Sequence, residues 1–210
     1  MLRCTTSEVN SYGKRYTNSR ECVFSGGRGM NTTTNPSAVR SRNEITKALL
    51  KLMGKYPYSE ITVTQIVMET NLVRKTFYRN FTSKDDVLDA IINNAIIEYT
   101  DALVESDEDP LAVIFAFCEK NRKLLKLLHK NNMLYLLLLK LNETLPKISE
   151  TTDKEKNPFA KLMTGLEPDY LIAFNVGAIW NVIFKWVDRG MTDSPEKIKT
   201  TIENYLSRLH

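Results

Sequence analysis

Histidine, cysteine and glycine are all scarce in this 210-residue chain, and each scarcity removes a class of function. Two histidines, His129 and His210, leave little room for His-based metal sites or catalytic triads. Three cysteines, Cys4, Cys22 and Cys118, form no C-x-x-C spacing and an odd count, which argues against a disulfide framework and for a reducing compartment. No metal site and no cofactor are expected. Four of the eight glycines lie in the first 29 residues, so Gly54, Gly165, Gly177 and Gly190 serve the rest, too few for the turns of an all-β or α/β fold. No unbroken apolar run approaches the roughly 20 residues of a membrane span, and no charged-then-apolar signal segment opens the chain. The expected location is cytoplasmic, without a membrane partner. Paired carboxylates on facing helical positions, a nucleophile beside a base and a phosphate-binding glycine loop are all missing, so no enzyme is expected.

What is present is an ordinary globule, 42% apolar and 26% charged, large enough to bury its own core. Its net charge of +4 is mild but unevenly placed. From Pro36 to Lys84 nine basic residues face three acidic ones, a local +6, whereas the chain from Asp85 onward is net −5. A basic first third on an acidic remainder is the footprint of an end that faces a polyanion, although an uneven solvated surface has the same composition. Residues 1–36 are polar, rich in Ser, Thr, Asn and Gly, and are expected to form a disordered extension. Within it, Gly26-Gly27-Arg28 is what a purine-rich ribosome-binding run gives when translated, which makes Met30 a candidate start. The nucleotides upstream of codon 30 check this.

From Ser37 the apolar pattern is helical almost throughout. A first helix is predicted over about 41–54, closed by Gly54. A second begins at Thr62, where Thr62-Val63-Thr64-Gln65 is a capping box. A short third spans about 74–80 and buries Phe77, with Phe81 just beyond. A fourth starts behind Thr82 or Ser83, with Asp85 and Asp86 in its first turn to suit the macrodipole. Further helices are expected at about 110–129, 132–148, 168–189 and 195–208, three of them opened by prolines, with a polar linker over 149–157. The fold class is therefore all-α: an N-terminal three-helix unit over 37–84 followed by a helical bundle over 85–210.

Two short helices joined by a tight turn, with basic residues on the second, make a helix-turn-helix. The stretch from Ile61 to Phe81, followed by Thr82-Ser83-Lys84, resembles the N-terminal DNA-binding domain of the TetR family of bacterial transcriptional regulators. The segment Thr76-Phe77-Tyr78-Arg79-Asn80-Phe81 is similar to that family's recognition helix. Two positions depart from the family pattern: Asn71 stands where glycine is common in the turn, and Val73 where a small capping residue is common. Asn tolerates positive φ, so the turn is expected to survive; Val73 cannot cap. A helix of seven residues is about 10 Å long and fits a major groove about 12 Å wide. Phe77 and Phe81, four apart, turn Arg74, Lys75, Tyr78 and Arg79 to other faces.

The resemblance implies a ligand-responsive regulator, most simply a repressor, that binds double-stranded DNA at a palindromic operator as a homodimer. It places Lys75 and Thr76 at bases and Tyr78 at a phosphate or thymine methyl, beside Arg74. Arg79, with Thr62, Thr64 and Lys84 at helix N-termini, is assigned to phosphates. It further implies a small-molecule effector cavity in the bundle, for which Phe115, Phe117, Cys118, Met133, Tyr135 and Phe159 are the candidate lining. The basic stripe Arg122, Lys126 and Lys130 is read as a solvated face. The helix over 168–189 is apolar on two sides and must bury both; Gly177, Ala178, Trp180 and Phe184 are the candidate dimer interface. A second reading stays open, in which the same fold serves as a protein-interaction co-activator or adaptor without operator reading, with Val73 as its argument.

Overall fold

The computed structural model describes residues 35–106, 108–151 and 167–208. The extension before Asn35, with Met30, Cys4 and Cys22, lies outside the described residues, as do Phe159, His210 and most of the expected linker. Among the described residues there are nine α-helices and no strand: α1 (Pro36–Lys55), α2 (Val63–Met68), α3 (Arg74–Asn80), α4 (Lys84–Glu105), α5 (Pro110–Lys120), α6 (Arg122–Lys130), α7 (Tyr135–Thr151), α8 (Pro168–Asp188) and α9 (Pro195–Leu206).

α1 starts five residues earlier than its apolar periodicity suggests. Asn35 accepts a hydrogen bond from the Ser37 N–H at 3.0 Å and Pro36 takes the first helical position, so the last two residues assigned to the extension are ordered as a helix start. Gly54 does not close the helix; Lys55 continues it, and extended Tyr56 ends it. Pro57 explains this, because the residue before a proline is pushed out of the helical region. A 3-10 turn (Tyr58–Glu60), absent from the periodicity, leads into α2.

α4 belongs to both parts of the fold. Ser83 caps it, accepting from the Asp86 N–H at 3.1 Å, and its ten buried residues run from Val87 to Leu103. It packs on α1 and also on α5 and α7. The single helix expected over 110–129 is broken at Asn121, whose side-chain amide folds back to donate to the Phe117 carbonyl at 3.1 Å. The resulting α6 lies against both α1 and α8. Its link to α8 includes His129, with Nε2 3.6 Å from the Asp188 carboxylate and the imidazole edge-on to Phe184. A turn with Asn132 at φ 56° then delays α7 to Tyr135, and α7 runs on to Thr151, past the predicted end. By length and composition the stretch Tyr170–Asp188 of α8 could cross a membrane, yet Ile172, Trp180, Ile183, Trp186 and Val187 are buried in the bundle.

The first three helices are joined to the bundle by polar side chains as well as by packing. Asn131, just after α6, accepts from the Tyr58 N–H at 2.9 Å and donates to the Met53 carbonyl at 3.3 Å and the Leu127 carbonyl at 2.9 Å. Lys130 donates to the Gly54 carbonyl at 2.6 Å. Carbonyls in the last turn of a helix have no partner within that helix, and here the C-terminus of α1 receives its donors from α6. Replacing Asn131 with alanine strands a part-buried N–H and a carbonyl at once. The expected loss is about 1–3 kcal/mol, read as a lowered midpoint in urea unfolding.

Candidate nucleic-acid interface

The helix-turn-helix is built from local bonds that the residue types dictate. The Thr62 N–H donates to the Gln65 side-chain oxygen at 2.7 Å and the Thr62 hydroxyl accepts from the Gln65 N–H at 3.3 Å, completing the capping box. The same hydroxyl also donates to Gln65 Oε1 at 2.9 Å, so Thr62 is engaged as a cap. In the turn, the Thr70 hydroxyl donates to the Val67 carbonyl and accepts from the Leu72 N–H. These bonds hold the turn without a left-handed residue: Asn71 is not among the residues with positive φ. Val73, at the N-cap of α3, makes no side-chain cap and is 67% exposed.

α3 is held from behind. Phe77 is fully buried, and Phe81 nearly so, with ring centroids 6.2 Å apart. Arg42 of α1 stacks its guanidinium 4.4 Å from the Phe81 ring centroid and donates to the Asn80 carbonyl at 3.1 Å. A cation there meets the negative end of the helix. The outward side carries Arg74, Lys75, Tyr78 and Arg79, all exposed, with Thr76 half-buried. Arg74 bridges the two helices, donating to the Thr64 hydroxyl at 3.2 Å and the Tyr78 hydroxyl at 3.3 Å. Among the described residues no carboxylate pairs with Arg74, Lys75 or Arg79. The result is a positive surface without a carboxylate partner among the described residues, with the exposed phenol of Tyr78 beside Arg74.

Lys84 departs from its expected position at a phosphate. Its ammonium donates to the carbonyls of Tyr58, Ser59 and Ile61 at 2.8, 3.3 and 2.8 Å and lies 4.6 Å from the Tyr58 ring centroid. An ammonium has three donors, and all three are taken by the loop before α2. Lys84 therefore ties α4 to that loop, and Tyr58 is fixed further by donating to Asp85 at 2.6 Å. Sequence reasoning missed Arg42 as the C-terminal partner of α3; its only local signal was its place in the basic first third.

Of the six residues expected to share an effector cavity, the five that are described are not brought together. Phe115, Phe117 and Cys118 are buried core. Phe115 packs edge-on against Trp186 with centroids 5.8 Å apart, and Phe117 against Tyr99 at 5.4 Å. Burial pushes the Cys118 thiol up to about 12, so it stays protonated and inert. Met133 and Tyr135 lie instead at a surface cleft beside Lys55 and Tyr56, and Phe159 is outside the described residues. Of the basic stripe, Arg122 pairs with Glu119 and donates to the Met191 carbonyl at 2.8 Å, while Lys130 serves α1.

The candidate dimer residues divide as well. Trp180 is 5% exposed and belongs to the chain's own core. Gly177 has nothing within 4 Å of where a Cβ would stand, Ala178 is exposed, and Phe184 is 44% exposed. Tyr170 and Phe174 join them on the open face, Phe174 at 73% exposure. Phe174 stands four residues before Ala178 and Tyr170 four before Phe174, the spacing that would have found them.

Residues 45–91 match the family model described as bacterial regulatory proteins of the tetR family, and residues 105–208 match one described as a transcriptional regulator C-terminal region. Over 66 residues the chain is 33% identical to the uncharacterized HTH-type transcriptional regulator YxbF of Bacillus subtilis (strain 168). That match covers 31% of this chain and 17% of the relative's length. In fold it is similar to a TetR transcriptional regulator from Streptococcus agalactiae 2603V (TM-score 0.54, 19% identity, 83% of this chain and 96% of that one). It is also similar to the dihydroxyacetone kinase operon activator DhaS (TM-score 0.52, 19% identity, 81% and 96% covered).

The uncapped start of α3 makes a direct prediction. Val73→Ser supplies the missing cap and removes an exposed apolar side chain, so stability is expected to rise by about 1 kcal/mol. Urea unfolding of the two proteins measures it; a lower midpoint for the serine variant contradicts this account.

Proposed function

The chain belongs to the TetR family of bacterial regulatory proteins and is a transcriptional regulator rather than an enzyme; on that premise we propose that it is a ligand-responsive repressor which grips a palindromic operator as a homodimer. Residues 37–84 form the DNA-binding part and 85–210 the effector and dimerisation part. The observation that carries the reading is the outward face of α3, where Arg74, Lys75 and Arg79 stand exposed, without a carboxylate partner among the described residues, on a helix anchored by Phe77. Lys75 and Thr76, near the N-terminal end of α3, are the base-reading residues. Tyr78 lies on a phosphate or a thymine methyl, and Arg74, Arg79 and Thr64 face the phosphate backbone. Thr62 and Lys84 position these groups from within.

The partner copy docks on the open face of α8 at Tyr170, Phe174, Gly177, Ala178 and Phe184, next to α9 with exposed Tyr205 and Leu206. A two-fold pair presents two α3 helices to half-sites about 34–36 Å apart. Effector binding in the bundle shifts α4, which packs on α1 and on the bundle helices, and changes the separation of the two α3 helices. A coupling of about 1–3 kcal/mol is enough for control.

Selection from a random-sequence duplex pool is expected to return an inverted repeat. Affinity for it should fall with salt by about 0.9 logarithmic units per phosphate neutralised. Arg79→Ala is expected to lower that slope by about one contact, and Lys75→Ala to relax base preference at a cost of about 1–3 kcal/mol. A protein-interaction adaptor on the same fold would show no duplex affinity at any salt concentration. Sedimentation of Phe174→Glu is expected to give monomers where the parent protein gives dimers; unchanged dimers remove α8 from the interface.

A further inference from the structure

Where the C-terminus of α1 meets the turn between α6 and α7, a cleft of about 480 Å³ separates the first three helices from the bundle. One wall is the segment from Lys55 to Ser59; the other runs from Lys130 to Met133 and includes Tyr135. The volume falls within the roughly 300–1,000 Å³ of small-molecule sites. Its chemistry is one-sided. Two ammonium groups, Lys55 and Lys130, line it and no carboxylate does; Asp85, held by the Tyr58 hydroxyl, is not part of the lining. Tyr56 and Tyr135 expose about half of their surface, at 44% and 52%, and Met133 is half-buried beside them.

The two cations are placed differently. Among the described residues Lys55 makes no hydrogen bond and feels only a longer-range attraction to Glu69, which is paired with Lys51. Lys130 donates to a neutral acceptor, the Gly54 carbonyl. Hydrogen bonds to an ionised acceptor are about twice as strong as those to a neutral one, so an acidic group entering the cleft competes well for that ammonium.

We propose that this cleft binds a small amphipathic anion: a carboxylate or phosphate on a flat apolar body, the acid group on Lys55 and Lys130 and the body against Tyr56, Met133 and Tyr135. Such a ligand touches both parts of the protein at once. Drawing Lys130 from the Gly54 carbonyl removes one of the side-chain donors that α6 supplies to α1, so occupancy changes how firmly the first three helices are held. The site deepens the reading of the protein as a ligand-responsive regulator; it rests on that reading for its effect on DNA, and not for binding itself.

Calorimetric titration of the full chain tests it with three probes on one ring system: 1-naphthoate, 1-naphthyl phosphate and the uncharged 1-naphthalenemethanol. At least one anion is expected to bind about tenfold or more tightly than the alcohol, and the comparison of the two anions tells carboxylate from phosphate. Tyr135→Ala and Lys55→Gln, both at exposed positions, are each expected to weaken the better anion by about fivefold or more, with helical circular dichroism unchanged. Equal binding of anion and alcohol, no binding of either anion at millimolar concentration, or either variant keeping its affinity within about twofold overturns the proposal. No DNA enters these titrations. A negative result therefore leaves operator binding standing, and a chain that binds the anion but no duplex leaves the cleft standing.

Discussion

The burial of two phenylalanine rings, four residues apart, decides where the charge of this protein points. α3 has seven residues and no side-chain cap at its start, and isolated helices shorter than about 12–15 residues are marginal in water. Tertiary packing has to hold it. Phe77 and Phe81 are almost completely removed from solvent, each stabilising by about 1.5–3 kcal/mol relative to an exposed ring. Arg42 closes the C-terminal end and Arg74 ties the first turn to Thr64. With one side of so short a helix locked into the core, the opposite side has no freedom of rotation, and Lys75, Tyr78 and Arg79 are presented as a rigid set.

Net charge alone overstates how much of that surface is free. Of the nine cations between Pro36 and Lys84, Arg40 is paired with Glu44 and Lys51 with Glu69. Arg42 and Lys84 are bound to backbone carbonyls. The exposed ones on α3, which have no carboxylate partner among the described residues, are a minority, and they are the ones the fold gathers on one face. Composition counts a charge wherever it stands; packing decides whether it is available to a partner or already serves as an internal cap.

The parts of the fold that were legible beforehand share a cause: their signals are local. The capping box at Thr62 and Gln65, the bounds of α3 and the proline starts of α5, α8 and α9 are set by residues within one turn of each other. The inward turn of Phe77 and Phe81 follows from helical spacing alone. What escaped depends on distant neighbours. Lys84 looks like an anion-binding cation until the Tyr58–Ile61 loop folds over it. Phe115, Phe117 and Cys118 could line a cavity or fill a core, and only the approach of Tyr99 and Trp186 decides for the core. Trp180 and Phe184 sit four residues apart on α8, yet one faces the bundle and the other the open side.

The capping of α1 by Asn131 and Lys130 bears on how such proteins can be recombined. A reading head that ended its own helices could be grafted between scaffolds like an interchangeable tool. Here the last turn of α1 borrows its hydrogen-bond donors from a segment 76 to 78 residues further along the chain. A chimera that moves the first three helices onto a foreign bundle must therefore carry the asparagine–lysine pair with it, or inherit a frayed seam at the graft.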